Sequence, residues 1–211
     1  MIMNRNPEIE IALNHLRQDD NMKILINYFG PITLKNKQNH FKSLVRSIIH
    51  QQLSGKAAKT IENRFLALYD GSVFPNPEEV LKTPSESMQN IGLSKMKTKY
   101  IQGLAKKIDG GEIRLEELST LSDDEIAKIL KPIKGIGQWT IDMFLIFSLN
   151  RLDVFPINDL GIKKGLMILL GREKFLSEKS MISRSKKWKP YRTIASLYIW
   201  KVVDEGMILK P

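Results

Sequence analysis

Cysteine is absent from the 211 residues. That gap excludes disulfides, thiolate zinc sites, iron–sulfur clusters and a cysteine nucleophile together. Histidine is scarce, and His15, His40 and His50 show no metal-ligand spacing, so no metal site is expected from side chains. No apolar run reaches the roughly 20 residues that a membrane-spanning helix needs. The opening MIMNRNPEIE lacks the apolar core of a signal peptide. The expectation is an intracellular, reducing compartment without a membrane. Alternating, β-branched segments are rare too, residues 32–34 and 73–74 being the only short strand candidates.

What the chain has is positive charge and helical periodicity. Lys and Arg total 33 against 23 acidic residues, a formal charge of +10. Such an excess favours a polyanionic partner, nucleic acid or an anionic membrane surface. Phe41, Leu44, Val45, Ile48, Ile49 and Leu53 share one helical face, as do Ala57, Ala58, Ile61, Phe65 and Leu68. Asn76-Pro77 and Thr83-Pro84 each set a capping residue before a first-turn proline, and Ser122 with Glu125 fits a capping box. Gly110-Gly111, Gly171 and Gly206 each follow a periodic run as stop signals. The pattern predicts an all-α chain of roughly nine to eleven short helices.

Residues 130–150 carry the most information. A helix from Ser122 must end at Lys131-Pro132, because proline cannot extend it. Gly135-Ile136-Gly137 follows, and a new apolar helix begins near Gln138. Glycines on either side of an aliphatic plug allow a tight turn whose N–H groups point outward. With the dipole of the next helix they form a phosphate seat. Lys134 and Thr140 support that reading, while a plain turn between packed helices is the alternative.

This segment resembles the hairpin of the helix–hairpin–helix DNA glycosylases, the HhH-GPD superfamily, and the resemblance extends over about residues 40 to 205. Family members place an aspartate one helix and a short loop after the hairpin, and Asp159 stands there. Residues 48–54, IIHQQLS, look like the helix end that the family inserts into the DNA stack, with Gln52 at the wedge position and Leu53 beside it. Residues 188–192, WKPYR, followed by Ile199-Trp200, are similar to the C-terminal signature of the alkylbase (3-methyladenine) branch. Relatives that also cleave the backbone carry lysine where this chain has Trp139, so no Schiff base is expected at that place.

The resemblance implies a monofunctional glycosylase that flips an alkylated base out of double-stranded DNA and removes it hydrolytically. Asp159 would stabilise the oxocarbenium-like sugar and orient water; its bland alternative is a helix N-cap. Trp139, Trp200, Met143 and Leu160 take the base-pocket positions, and indole faces suit a cationic purine. For Leu53 and Trp200, plain core packing is the alternative. Lys134, Gly135, Ile136, Gly137 and Thr140 form the phosphate-binding hairpin. Lys95, Lys97 and Lys99, like Lys186, Lys187 and Lys189, suit a solvated face or phosphate contact.

Two rival functions remain. One is a glycosylase for another lesion with lyase activity through a displaced lysine such as Lys134. The other is a non-catalytic DNA-binding module. The implied fold is all-α and two-lobed with a central cleft and no N-terminal β-domain. One lobe spans residues 38–138, the other 1–37 with 139–211. No cofactor is expected beyond a monovalent cation at the hairpin carbonyls. A monomer acting in the nucleoid-bearing cytoplasm or the nucleus is the corresponding expectation.

Overall fold

The computed structural model describes residues 7–34, 39–71 and 73–206, and among these it forms helices and no strand. Residues 32–34 and 73–74 are irregular, and Val73 is solvent-facing. They are too short to make a ladder without partner strands. The described helices number twelve, with two additional 3-10 segments at Leu115–Thr120 and Lys186–Trp188. That exceeds the sequence expectation because two six-residue helices, α5 (Pro77–Lys82) and α6 (Ser85–Asn90), follow one another directly.

Two compact units divide the chain. One comprises residues 37–149, the other residues 1–36 with 150–211. In the central unit, α3 (His40–His50) is the hub. Leu44, Val45, Ile48 and Ile49 are fully buried, and α4 (Gly55–Ala67), α7 (Lys95–Asp109) and α9 (Gln138–Phe147) all pack on α3. The sequence-based division at residue 138 therefore fell too early. Helix α9 is apolar on nearly every side, with Ile141, Phe144 and Ile146 buried, and packs on α3 and α8 (Asp123–Leu130), so it stays with them.

The other unit is built on α1 (Pro7–Leu16), α2 (Asp20–Phe29), α10 (Leu160–Leu169), α11 (Glu178–Ser185) and α12 (Arg192–Asp204). Its core holds Leu13, Met22, Leu25, Leu166, Tyr198 and Ile199. Helices α10 and α12 meet closely because of Gly165. A Cβ there would stand 2.4 Å from the Ile199 carbonyl oxygen. Asp19 caps α2 by accepting from Met22 N–H at 3.0 Å and also receives Trp188 Nε1 at 3.1 Å. The tryptophan of the WKPYR stretch thus belongs to the core.

The predicted capping box forms at Ser122/Glu125, and Asn76, expected only as a cap, forms a second box with Glu79. Thr83 does otherwise. It closes α5, donating its hydroxyl to the Glu79 carbonyl at 2.8 Å. Helix α6 starts without a side-chain cap. A threonine hydroxyl can serve the turn behind it as readily as the turn ahead.

One buried charge bears on stability. Glu62 on α4 is 2% exposed, with Arg46 Nε at 3.0 Å, His50 Nε2 at 3.2 Å and Lys59 Nζ at 3.4 Å. Burial by itself would raise its pKa. The His50 hydrogen bond and the Arg46 and Lys59 charges outweigh burial and bring the carboxyl down to about 2. A carboxyl held below its unfolded value stabilises the fold above that unfolded value and ceases to do so as pH falls through the folded one. Glu62→Gln should cost about 2–3 kcal/mol in urea unfolding at pH 7. The gap from wild type should close between roughly pH 4.5 and pH 2. A gap that stays constant across that window would assign the loss to shape rather than charge.

Candidate active site and nucleic-acid interface

Asp159 sits immediately before α10 as its N-cap, with extended backbone at φ −73° and ψ 128°. The loop leading to it is tied to the start of α12. Arg192 Nε donates to Asp153 Oδ1 at 2.6 Å and its Nη2 to Oδ2 at 2.9 Å. Thr193 donates its hydroxyl to the Arg151 carbonyl at 2.6 Å and accepts from Val154 N–H at 3.0 Å. Two turns further along α12, Trp200 Nε1 donates to Asp159 Oδ1 at 2.7 Å, and Ile162 N–H donates to the same oxygen at 2.9 Å. One rigid helix therefore holds both ends of the aspartate's loop.

The N-cap reading of Asp159 holds, since the capping hydrogen bond is made. A cap needs no indole, however, and the Trp200 bond is additional. Helix α10 makes room for the ring with Gly161, where a Cβ would lie 2.7 Å from Trp200 Cδ1 and 2.9 Å from Asp159 Oδ1. Trp200 is half-buried rather than enclosed in the core. Leu160, which follows Asp159 in the chain, is 53% exposed. Sequence spacing gave no sign of the Trp200–Asp159 bond, which joins residues 41 apart.

In the central unit the hairpin forms between α8 and α9. Ile136 is buried at 4% exposure as the expected plug, and Lys134 is exposed. The two glycines differ. Gly135 has φ +90°, and a Cβ there would overlap the Tyr100 ring at 2.3 Å. Gly137 has extended backbone at φ −98° and open space where a Cβ would go. The fold requires the first glycine; among the described residues nothing requires the second. Gly137 also leaves the N-terminus of α9 without a side-chain cap. Trp139 is half-buried in the first turn, and Met143, one turn on, is 7% exposed.

Thr140 departs from its expected place. It is 1% exposed, and its hydroxyl accepts from Gln51 Nε2 at 3.0 Å. It serves the interior of the hairpin and not a phosphate at the surface. Lys97 departs too. Its ammonium donates to the Ile49 carbonyl at 2.8 Å and the Gln51 carbonyl at 2.7 Å, closing the C-terminus of α3. Desolvation lowers its pKa. Lys95 and Lys99 remain exposed, as do Lys186 and Lys189, whereas Lys187 pairs with Asp19.

The turn from α3 to α4 exposes both wedge candidates. Leu53 is 38% exposed, against its core reading, and Gln52 stands out with φ +55°, in the left-handed region. Ser54 then caps α4. Gln51, which sequence reasoning passed over, anchors this turn. A polar residue at a helix end is too common to have marked it.

The HhH-GPD superfamily base excision DNA repair protein model matches residues 45–190. DNA-3-methyladenine glycosylase 1 of Schizosaccharomyces pombe is 37% identical, over 96% of this chain and 90% of its own length. The solved structure of S. pombe 3-methyladenine DNA glycosylase (Mag1) in complex with abasic DNA is similar with a TM-score of 0.86 at 36% identity, covering 92% of this chain and 96% of that one. A DNA-3-methyladenine glycosidase structure from Bacillus halodurans is similar with a TM-score of 0.76 at 36% identity, over 95% of this chain and 91% of that one.

Proposed function

The chain belongs to the HhH-GPD superfamily of base excision DNA repair proteins, and from that premise we propose that it flips alkylated bases of the 3-methyladenine type out of duplex DNA and releases them with water as the nucleophile. The observation that carries the reading is the Asp159 carboxylate, fixed by Ile162 N–H and Trp200 Nε1 at the head of α10.

Extrusion costs a few kcal/mol of stacking and pairing. Gln52 and Leu53, exposed at the turn after α3, fill the space the base vacates. The uncapped N-terminus of α9 and the bare Gly137 receive backbone phosphate, since a helix N-terminus with open N–H groups binds anions. Trp139 and Met143, one turn apart on α9, offer the extruded base an indole face and an apolar wall. An alkylated purine is cationic, and an indole face attracts it by about 0.5–2 kcal/mol.

That cationic charge also makes the base a good leaving group. The bond from the base nitrogen to C1′ breaks with both electrons leaving on the base, and the sugar becomes oxocarbenium-like. Asp159 offers a preorganised negative charge to that sugar and accepts a proton from the water that adds to C1′. Trp139 stands where backbone-cleaving relatives keep lysine, so the product is an intact strand with an abasic site.

The test is a panel of duplexes, each with one lesion, scored for free base. Methylated purines should be released much faster than neutral oxidised or deaminated bases. Release confined to the neutral bases would overturn the alkylbase reading.

The glycines provide a second test. Gly137→Ala should leave the melting temperature unchanged and weaken binding to all DNA by about tenfold, with a shallower salt dependence. Gly135→Ala should instead lower stability by more than about 1 kcal/mol, through its positive φ and the Tyr100 overlap. A Gly137 variant that binds as wild type would remove the phosphate from this turn.

A further inference from the structure

We propose that Gln51 is a positioning residue that locks the insertion turn to the hairpin, so that Gln52 and Leu53 enter the stack in register with the phosphate grip. The proposal rests on the DNA-extruding function and adds a specific device to it.

Gln51 is held on three sides. Its main-chain N–H donates to the Ser47 carbonyl at 3.2 Å, ending α3. Its main-chain carbonyl accepts from Lys97 Nζ at 2.7 Å. Its side-chain nitrogen donates to the Gly135 carbonyl at 2.7 Å and to Thr140 Oγ1 at 3.0 Å. The amide orientation follows from chemistry, because a backbone carbonyl can only accept and so must face the NH2. Gly135 begins the hairpin turn and Thr140 lies in the first turn of α9, so the amide spans the turn where phosphate would sit. They lie 84 and 89 residues away in sequence, within the same compact unit.

The residue that follows, Gln52, has the left-handed backbone noted above. A non-glycine residue keeps that conformation only where its surroundings impose it. The fixed Gln51 before it and Ser54, which caps α4, after it impose it here. A wedge on a loose turn would have to be ordered during insertion, which slows extrusion. A wedge already bonded to the phosphate grip enters in place.

The consequence is specific. Without the amide the phosphate grip remains, so binding to undamaged duplex and its salt dependence should change little. Extrusion should suffer, and only where the DNA resists it. A damaged base opposite an abasic site is unpaired and needs less help than one opposite its partner.

Extrusion is read by the fluorescence of a 2-aminopurine placed beside the lesion, which reports unstacking whether or not the base is later released. Gln51→Ala should slow the fluorescence rise by roughly ten- to a hundred-fold with a paired lesion, and by less than about threefold with an unpaired one. Thr140→Val, which deletes one acceptor and keeps the Gly135 carbonyl, should show the same asymmetry at smaller size. Thermal melting of each variant reports its fold. Equal slowing on both duplexes, or none on either, would overturn the proposal. Should the wild type unstack the lesion without releasing free base, the glycosylase reading fails while the Gln51 comparison still decides the lock.

Discussion

Asp159→Asn is expected to slow single-turnover base release by roughly a hundred- to a thousand-fold while lesion-DNA affinity stays within a few-fold of wild type. Asparagine keeps the shape of the site. Its side-chain oxygen can still accept from Ile162 N–H and Trp200 Nε1, the two donors that now meet Asp159 Oδ1. Asn is also as good an N-cap as Asp, so α10 should start as before and the melting temperature should hold. What disappears is the negative charge offered to the developing oxocarbenium ion and the proton acceptor for water. The comparison isolates charge from structure, which an alanine variant would not. A variant that released methylated purine at a comparable rate would leave Asp159 only its capping role.

The second large effect concerns Trp200. Trp200→Phe keeps an aromatic face and removes the Nε1–H that meets Asp159 at 2.7 Å. A hydrogen bond to a charged group contributes about 1.5–3 kcal/mol, so the rate should fall roughly ten- to a hundred-fold. The pattern across substrates separates two roles. If the indole acts through Asp159, cationic and neutral purines lose rate equally, because the sugar's charge is the same for both. If its face acts directly on the base, the loss concentrates on the cationic purine. We expect the equal loss. Gly161→Ala checks it independently, since the added methyl would press on Trp200 Cδ1 and Asp159 Oδ1 at once. Full activity in both variants would mean that the carboxylate needs no such anchor.

The parts legible in the sequence are those decided within a few residues. The Asn76 cap, the Ser122/Glu125 box, the Asp159 cap and the glycine turn are local, and each formed as read. Spacing after the hairpin singled out Asp159, and the structure sets it at the head of α10 as the N-cap. What stayed hidden depends on distant partners. Lys97 belongs to a run that reads as solvated, yet its ammonium is drawn to the end of α3 by carbonyls 46 and 48 residues away. Thr140 looks like a first-turn phosphate ligand until Gln51 claims its hydroxyl from across the fold.

The two hairpin glycines show the same limit. They read identically as letters, but Tyr100 presses on Gly135, 35 positions along the chain, and none of the described residues presses on Gly137. Helix α9 likewise joined the central unit because of its apolar contacts with α3 and α8, which no boundary signal in the sequence announces. Tertiary neighbours, and not propensity, chose these outcomes.

The most direct measurement incubates the protein with a duplex carrying one 3-methyladenine or 7-methylguanine, then assays the free base and the strand separately. Hydrolysis at C1′ without a lysine nucleophile predicts free methylated purine and a strand that stays intact until alkali cleaves the abasic site. Borohydride should then trap no covalent protein–DNA adduct. Strand breakage without alkali together with a trapped adduct would contradict the account, as would an unchanged duplex.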